Sequence, residues 1–215
     1  MGHVMKALVT GFEPFGGDNV NPSEEAVRRL PRRLGNLQIF TVTLPATFAD
    51  SLVELAKAIE RIEPEIVLCV GLAGGRSALS LERVAINVQD ARIADNDGAQ
   101  PIDEPVVAGG PAAYLTGLPV KAAVAALRAA GLPAEVSNSA GTFVCNHTFY
   151  GLMHLAAGRR IRGGFLHIPY LPAMVVSQKG VPSMALADVV RGVETILEIT
   201  ATHEVDVKLA EGAVS

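Results

Sequence analysis

Ile66-Val67-Leu68-Cys69-Val70, an unbroken apolar run, is followed at once by Gly71-Leu72-Ala73-Gly74-Gly75-Arg76. An apolar run of strand length with no polar alternation marks a strand covered on both faces, the usual state of strands in parallel sheets. Outward from it, strand and helix signals alternate. Upstream, residues 50–62 set Leu52, Leu55, Ala56, Ile59 and Ile62 at helical spacing and are followed by Pro64, which predicts an amphipathic helix. Residues 38–44 read as a strand, and residues 4–10 as another that opens into the loop Gly11-Phe12-Glu13-Pro14-Phe15-Gly16-Gly17. Asn21-Pro22-Ser23-Glu24 reads as a helix start, with Asn21 as N-cap, Pro22 at the first helical position and Glu24 closing a capping box. Downstream, residues 78–89 are strand-like, 95–110 form a long polar loop, and 119–130 form an alanine-rich helix stopped by Gly131. Strands at 134–137 and 164–168, helices at 146–157 and 183–200, and a loose tail over the final dozen residues complete the pattern. Strands alternating with helices predict an α/β layered fold with a largely parallel sheet, in one domain spanning 1–215.

Composition narrows the function classes. The 215 residues are 49% hydrophobic with a net charge of -4, which argues for a globular protein without a nucleic-acid surface. No apolar run is long enough to span a bilayer, and Met1-Gly2-His3-Val4-Met5-Lys6 lacks the pattern of a secretion signal, so no membrane partner is expected. The two cysteines, Cys69 and Cys145, form neither a disulfide framework nor a Cys-x-x-Cys pair. Reduced thiols in a cytoplasm are expected. Cys69, inside the apolar run, is assigned to packing.

Ligands of such sheets collect at the carboxyl ends of the strands. The loops at 11–17 and 71–76, the turn around Cys145 and the end of the 164–168 strand all belong to that edge and should converge. In Gly141-Thr142-Phe143-Val144-Cys145-Asn146-His147-Thr148-Phe149-Tyr150 the cysteine comes directly after a glycine-containing turn and directly before the 146–157 helix. Unpaired N–H groups and the helix dipole would lower its pKa there, making it a plausible nucleophile, and the same N–H groups could hold an oxyanion. His167, near the end of its strand and just before Pro169, is the histidine best placed to face this edge and take the thiol proton. His147 and His154 read as packing or surface residues, and no histidine pair has metal-ligand spacing, so no metal is expected. In Leu79-Ser80-Leu81-Glu82-Arg83-Val84-Ala85-Ile86, strand alternation puts Glu82 on the face of Val84 and Ile86, where a carboxylate needs a partner. The neighbourhood of Arg83, Arg92 or a histidine could supply it, and the pattern does not choose.

The segments Thr10-Gly11-Phe12-Glu13-Pro14-Phe15-Gly16-Gly17, Val70-Gly71-Leu72-Ala73-Gly74-Gly75-Arg76, Glu82-Arg83-Val84-Ala85-Ile86-Asn87, Ala140-Gly141-Thr142-Phe143-Val144-Cys145-Asn146 and Gly163-Gly164-Phe165-Leu166-His167-Ile168-Pro169-Tyr170 run in order across almost the whole chain. Together they closely resemble the pyrrolidone carboxyl peptidase family, also called pyroglutamyl peptidase I. The resemblance implies a three-layer α/β/α sandwich with a twisted, largely parallel central sheet. It also implies a cytoplasmic, often tetrameric enzyme that needs no cofactor and acts on pyroglutamyl peptides. The catalytic Cys, His and Glu of the family fall on Cys145, His167 and Glu82.

Phe12 and Phe15 match the family's ring-contacting aromatics, and Asn21 a position that can hydrogen-bond the lactam. Pyroglutamate is a neutral five-membered lactam, so flat apolar walls suffice to hold it. The Cys145 N–H, aided by Arg92, is expected to stabilise the oxyanion. Leu72 stands where some relatives carry Gln, which matters only if the family's contact there comes from the side chain. The segment 171–182 reads either as an interface or as a mobile lid. Two other readings are a phosphate-dependent enzyme resembling nucleoside phosphorylases and a non-catalytic binder of pyroglutamyl peptides.

Overall fold

A computed structural model of the chain describes residues 3–212. The elements run in the order β1 (Met5–Phe12), α1 (Pro22–Arg28), β2 (Arg33–Leu34), β3 (Leu37–Leu44), α2 (Ser51–Ile62), β4 (Ile66–Leu72), β5 (Leu79–Glu82), β6 (Val84–Ile86), β7 (Ala113–Leu115), α3 (Val120–Ala129), β8 (Ala134–Ser137), α4 (Val144–Ala156), β9 (Arg162–Ile168) and α5 (Leu186–Thr202). The apolar run is the body of β4, buried from Ile66 to Gly71, as a strand covered on both faces must be. The main sheet has the order β2-β3-β1-β4-β9-β5-β8. β3, β1, β4 and β9 are mutually parallel, β5 and β8 are parallel to each other, and β5 runs antiparallel to β9.

Helices cover both faces, which gives the three-layer α/β/α architecture. On one side Ala26 and Val27 of α1, Val124 and Leu127 of α3, and Val193 and Ile196 of α5 pack on Val9, Leu68 and Leu166. On the other, Leu55 and Ile59 of α2 and Phe149 and Leu152 of α4 pack on Leu8, Val67 and Phe165. Two aliphatic layers of this kind supply the burial that holds a sheet between helices, at about 25 cal/mol per Å² of apolar area removed from water.

Several sequence expectations need correction. The 78–89 stretch is not one strand, because it breaks at Arg83: β5 stays in the main sheet while β6 leaves to pair antiparallel with β7. The alternation that set Glu82 with Val84 and Ile86 therefore does not run through. Asn21 is the N-cap, accepting from the Ser23 N–H at 3.0 Å, but no capping box closes. The Glu24 carboxylate instead pairs with Arg28 and accepts from the Thr43 hydroxyl. α4 begins at Val144, so Cys145 lies within its first turn rather than ahead of it.

The tail is anchored through residue 211. The Asp206 carboxylate accepts from the Lys121 and Ala122 N–H groups at 3.0 and 2.9 Å, capping α3, whose own N-cap Pro119 offers no side-chain acceptor. Glu211 pairs with Arg128, and its carbonyl accepts from Arg83. Residues 213–215 of the expected tail lie outside the described residues. Asp206→Ala should lower the urea-unfolding free energy by about 1 kcal/mol, the usual worth of a helix cap. An unchanged midpoint would show that the tail contributes nothing to α3.

Candidate active site

β1, β4 and β9 are adjacent and parallel, so their carboxyl ends open side by side. A cavity of about 340 Å³ sits there, lined by Phe12 and Phe15 from β1 and its loop, Asn21 ahead of α1, Leu72 at the end of β4, Phe143 and Cys145 at the start of α4, and Tyr170 after β9. The loops expected to converge on this edge do so. Glu13 ties them together, its Oε1 accepting from the Ala46 N–H at 3.1 Å and from Asn96 Nδ2 at 2.9 Å.

The start of α4 is held from outside the helix. Gly141 has a φ of +77°, a left-handed turn that suits glycine. Thr142 then binds Asp90 in both directions, its hydroxyl donating to the Asp90 carbonyl and its carbonyl accepting the Asp90 N–H. Buried Asn146 clamps the neighbouring segment, accepting the Ile86 N–H and donating to the Ile86 and Val88 carbonyls. First-turn N–H groups have no partner inside a helix, and that of Cys145 belongs to this set.

Gly71 of β4 is in register with His167 of β9. Registered residues of neighbouring strands face the same way. A methyl built on Gly71 would lie 3.0 Å from Cys145 Sγ and 2.8 Å from Cζ of Phe165. The sulfur therefore rests over bare backbone, on the same face and at the same height along the sheet as the imidazole. The Phe165 ring fills the floor, 4.8 Å from the His167 ring between centroids. Cys145 and His167 thus occupy one side of the sheet.

Glu82, 0% exposed at the end of β5, holds the imidazole from the other side, with His167 Nδ1 at 2.7 Å from its Oε1. Donation from Nδ1 leaves the Nε2 lone pair as the free proton acceptor. Arg76 Nη1 donates to the same Oε1 at 2.8 Å, and Arg76 Nη2 donates to the Ser139 carbonyl at 3.1 Å. Of the partners the sequence offered for Glu82, the histidine is present. Arg76 is present as well and was not among them. Arg92 is exposed and is not among the residues that line the cavity.

Burial, with Glu82 and Cys69 adding to it and Arg76 opposing, pushes the Cys145 thiol up to about 12. The direction is opposite to the lowering expected from the helix terminus, and desolvation of the thiolate is its first cause. Burial likewise lowers His167 below its ordinary value, against the raising effects of its hydrogen bond to Glu82 and the Glu82 charge, and with a further lowering by Arg76. Both directions favour the uncharged thiol and the uncharged imidazole.

The family model for pyroglutamyl peptidase matches residues 5–203. The chain belongs to the pyroglutamyl peptidase family. It is 55% identical over 209 residues to the pyrrolidone-carboxylate peptidase of Erwinia tasmaniensis, covering 97% of this chain and 98% of that one. It is 54% identical over 208 residues to pyrrolidone-carboxylate peptidase 1 of Ralstonia nicotianae, covering 95% and 97%. The crystal structure of Bacillus amyloliquefaciens pyroglutamyl peptidase I superposes with a TM-score of 0.91 at 47% identity, covering 94% of this chain and all of that one. The pyrrolidone carboxyl peptidase of Thermococcus litoralis superposes with a TM-score of 0.93 at 39% identity, covering 96% and 99%. The cavity of this family member is lined by Cys145, with His167 on the same side of the sheet.

Sequence reasoning missed three residues of this family member's site. Phe143 packs at a tilt against Phe15 and edge-on against Phe48, with centroids 5.2 Å apart in both pairs, closing one wall. Tyr170 lines another, its ring lying over Gly74. Both stand inside motifs already quoted, beside Cys145 and His167. Arg76 ends the glycine loop, and the buried carboxylate's need for a counter-charge was the signal for it. The Asn21 side chain is engaged with Ser23 and with the Glu13 carbonyl, so its capping role is filled in the free protein. Among the described residues, no cluster of His, Cys, Asp and Glu could hold a metal, and no helix is long and apolar enough to cross a membrane.

Gly71→Ala should reduce kcat/KM on the order of 10²-fold, because the added methyl must displace Cys145 Sγ or the Phe165 ring. Steady-state kinetics at normal activity would show that the sulfur is not confined there.

Proposed function

We propose that this peptidase removes an N-terminal pyroglutamyl residue from peptides, with Cys145 as nucleophile, His167 as general base and acid, and Glu82 as the group that orients the imidazole. The reading is carried by one observation: Sγ of Cys145 rests over Gly71, beside a His167 whose Nδ1 is bound to buried Glu82. His167 Nε2 takes the thiol proton as sulfur attacks the pyroglutamyl carbonyl carbon. The resulting oxyanion is met by the Cys145 N–H. Collapse expels the peptide amine, which receives the proton from His167, and leaves a thioester on Cys145. Water attacks that thioester, giving its proton to His167, and the released sulfur takes it back. No step requires a cofactor or a metal.

The lactam ring carries no charge, and the aromatic walls offered by Phe12, Phe15 and Phe143 suit it. Burying such a ring is worth roughly 1.5 to 3 kcal/mol. Leu72 lines the same slot, so any polar contact to the ring at that position has to come from backbone.

The direct test is release of a chromophoric amine from a pyroglutamyl amide. Cys145→Ala and iodoacetamide-treated protein should both be inactive, and a chelator should leave the rate unchanged. Turnover by either inactivated sample, or a requirement for phosphate, would remove the thiol mechanism. Ligand binding without turnover in fresh reductant would make the protein a binder only.

The pH profile has a definite sign. With His167 lowered from its ordinary 6.5, the base stays unprotonated through neutrality, and kcat/KM should fall only as pH drops below 6.5. An acid limb centred above that value would contradict the neutral resting imidazole. Phe15→Ala should raise KM more than it lowers kcat, since the ring contacts are made equally in ground and transition states. An unchanged KM would place the lactam elsewhere.

A further inference from the structure

Glu82 has no exposed surface, yet its Oε1 receives both His167 Nδ1 and Arg76 Nη1. Its Oε2 has no hydrogen-bond partner. Arg76 brings a permanent positive charge to this carboxylate, whereas burial disfavours the charged form of His167. The same guanidinium reaches the Ser139 carbonyl with its other nitrogen, and Ser139 belongs to the loop between β8 and α4 that delivers Cys145. Ser139 also holds Gly141, its hydroxyl accepting the Gly141 N–H at 3.1 Å just before the turn into the helix.

We propose that Arg76 is a positioning residue for the reaction: its two-pronged grip fixes the Glu82 carboxylate against His167 and locks that acid to the loop carrying the nucleophile. The inference rests on the Cys145, His167 and Glu82 reading given above. Arg76 does not touch the reacting atoms. It acts through Glu82 and through Ser139, and its planar fork suits two acceptors in a way that a lysine ammonium does not.

The charges that act on His167 are Glu82 from β5 and Arg76 from the loop before it. Taking away the Arg76 charge removes a force that disfavours imidazolium, so His167 should accept its inactivating proton at higher pH.

The test compares Arg76→Gln, Arg76→Lys, Glu82→Gln and the double variant Arg76→Gln/Glu82→Gln, each on the pyroglutamyl amide across pH. Arg76→Gln should lose activity roughly 10- to 100-fold, the usual range for a residue that supports a functional group from behind, mainly in kcat, with its acid limb displaced to higher pH. Arg76→Lys should return the acid limb towards the parent position while kcat stays low, because charge is restored and the Ser139 contact is not. The double variant should lose less than the two single losses combined, since the part of the Arg76 effect that runs through Glu82 is already absent in Glu82→Gln. It also pairs no buried charge against a missing partner, so it remains measurable if Arg76→Gln fails to fold.

An unmoved acid limb in Arg76→Gln, or equal losses in the lysine and glutamine variants with unmoved limbs, would overturn the proposal in favour of a structural role. Additive losses in the double variant would overturn it too. Failure of the underlying triad reads differently: Glu82→Gln would then retain parent activity whatever Arg76 does.

Discussion

A helix terminus and a sheet meet in this protein with almost nothing between them, at the bare Cα of Gly71. Neighbouring strands lie about 4.8 Å apart, and β4 and β9 are parallel and in register, so whatever rests on Gly71 stands one strand from His167. The Cys145 sulfur is what rests there. Any side chain at 71 would push α4 away from the sheet, and the Phe165 ring beneath leaves no room to yield. The separation between the two groups is thus fixed by the backbones of a strand and a helix rather than by mobile loops, which is how a site achieves sub-ångström precision.

Charge placement follows from the same closeness. Burial disfavours both the thiolate and the imidazolium, so in the proposed reaction proton transfer would create two charges at once. Each new charge has a stabiliser already in place. The imidazolium is met by the Glu82 carboxylate, and the thiolate by the first-turn N–H groups of α4 and the positive charge of Arg76. The standing charges, Glu82 and Arg76, are paired with each other before substrate arrives. Preorganisation of this kind avoids rearranging dipoles during the reaction.

Much of this was legible in the sequence because it rests on local chemistry. The continuous apolar run at 66–70 announced a doubly covered strand, and the helical spacing from Leu52 to Ile62 announced α2 to within one residue. Cys145 and His167 were legible from their places at the strand and helix ends. What escaped was non-local. The two-residue β2 and three-residue β7 are too short to carry a pattern, and β6 leaves the sheet because its pairing with β7 outcompetes an alternation that looks continuous through Arg83. The Arg76 pair escaped for the same reason: it closes across a loop, and Arg83, next in sequence to Glu82, turns instead to the carbonyl of Glu211.

The aromatic wall and the nucleophile share one piece of backbone. Phe143 caps α4 at a φ of -93° and ψ of -166°, and its ring lies against both Phe15 and Phe48. Cys145 is two residues further on, already helical. On the proposed reading, a lactam seated against Phe15 and Phe143 would press on the residue that sets where α4 begins, so one turn would position both ring and sulfur. Such a link would let an apolar slot with few polar contacts aim a carbonyl carbon. The ring is located by the same turn that locates the thiol, so orientation does not depend on a charged handle on the substrate.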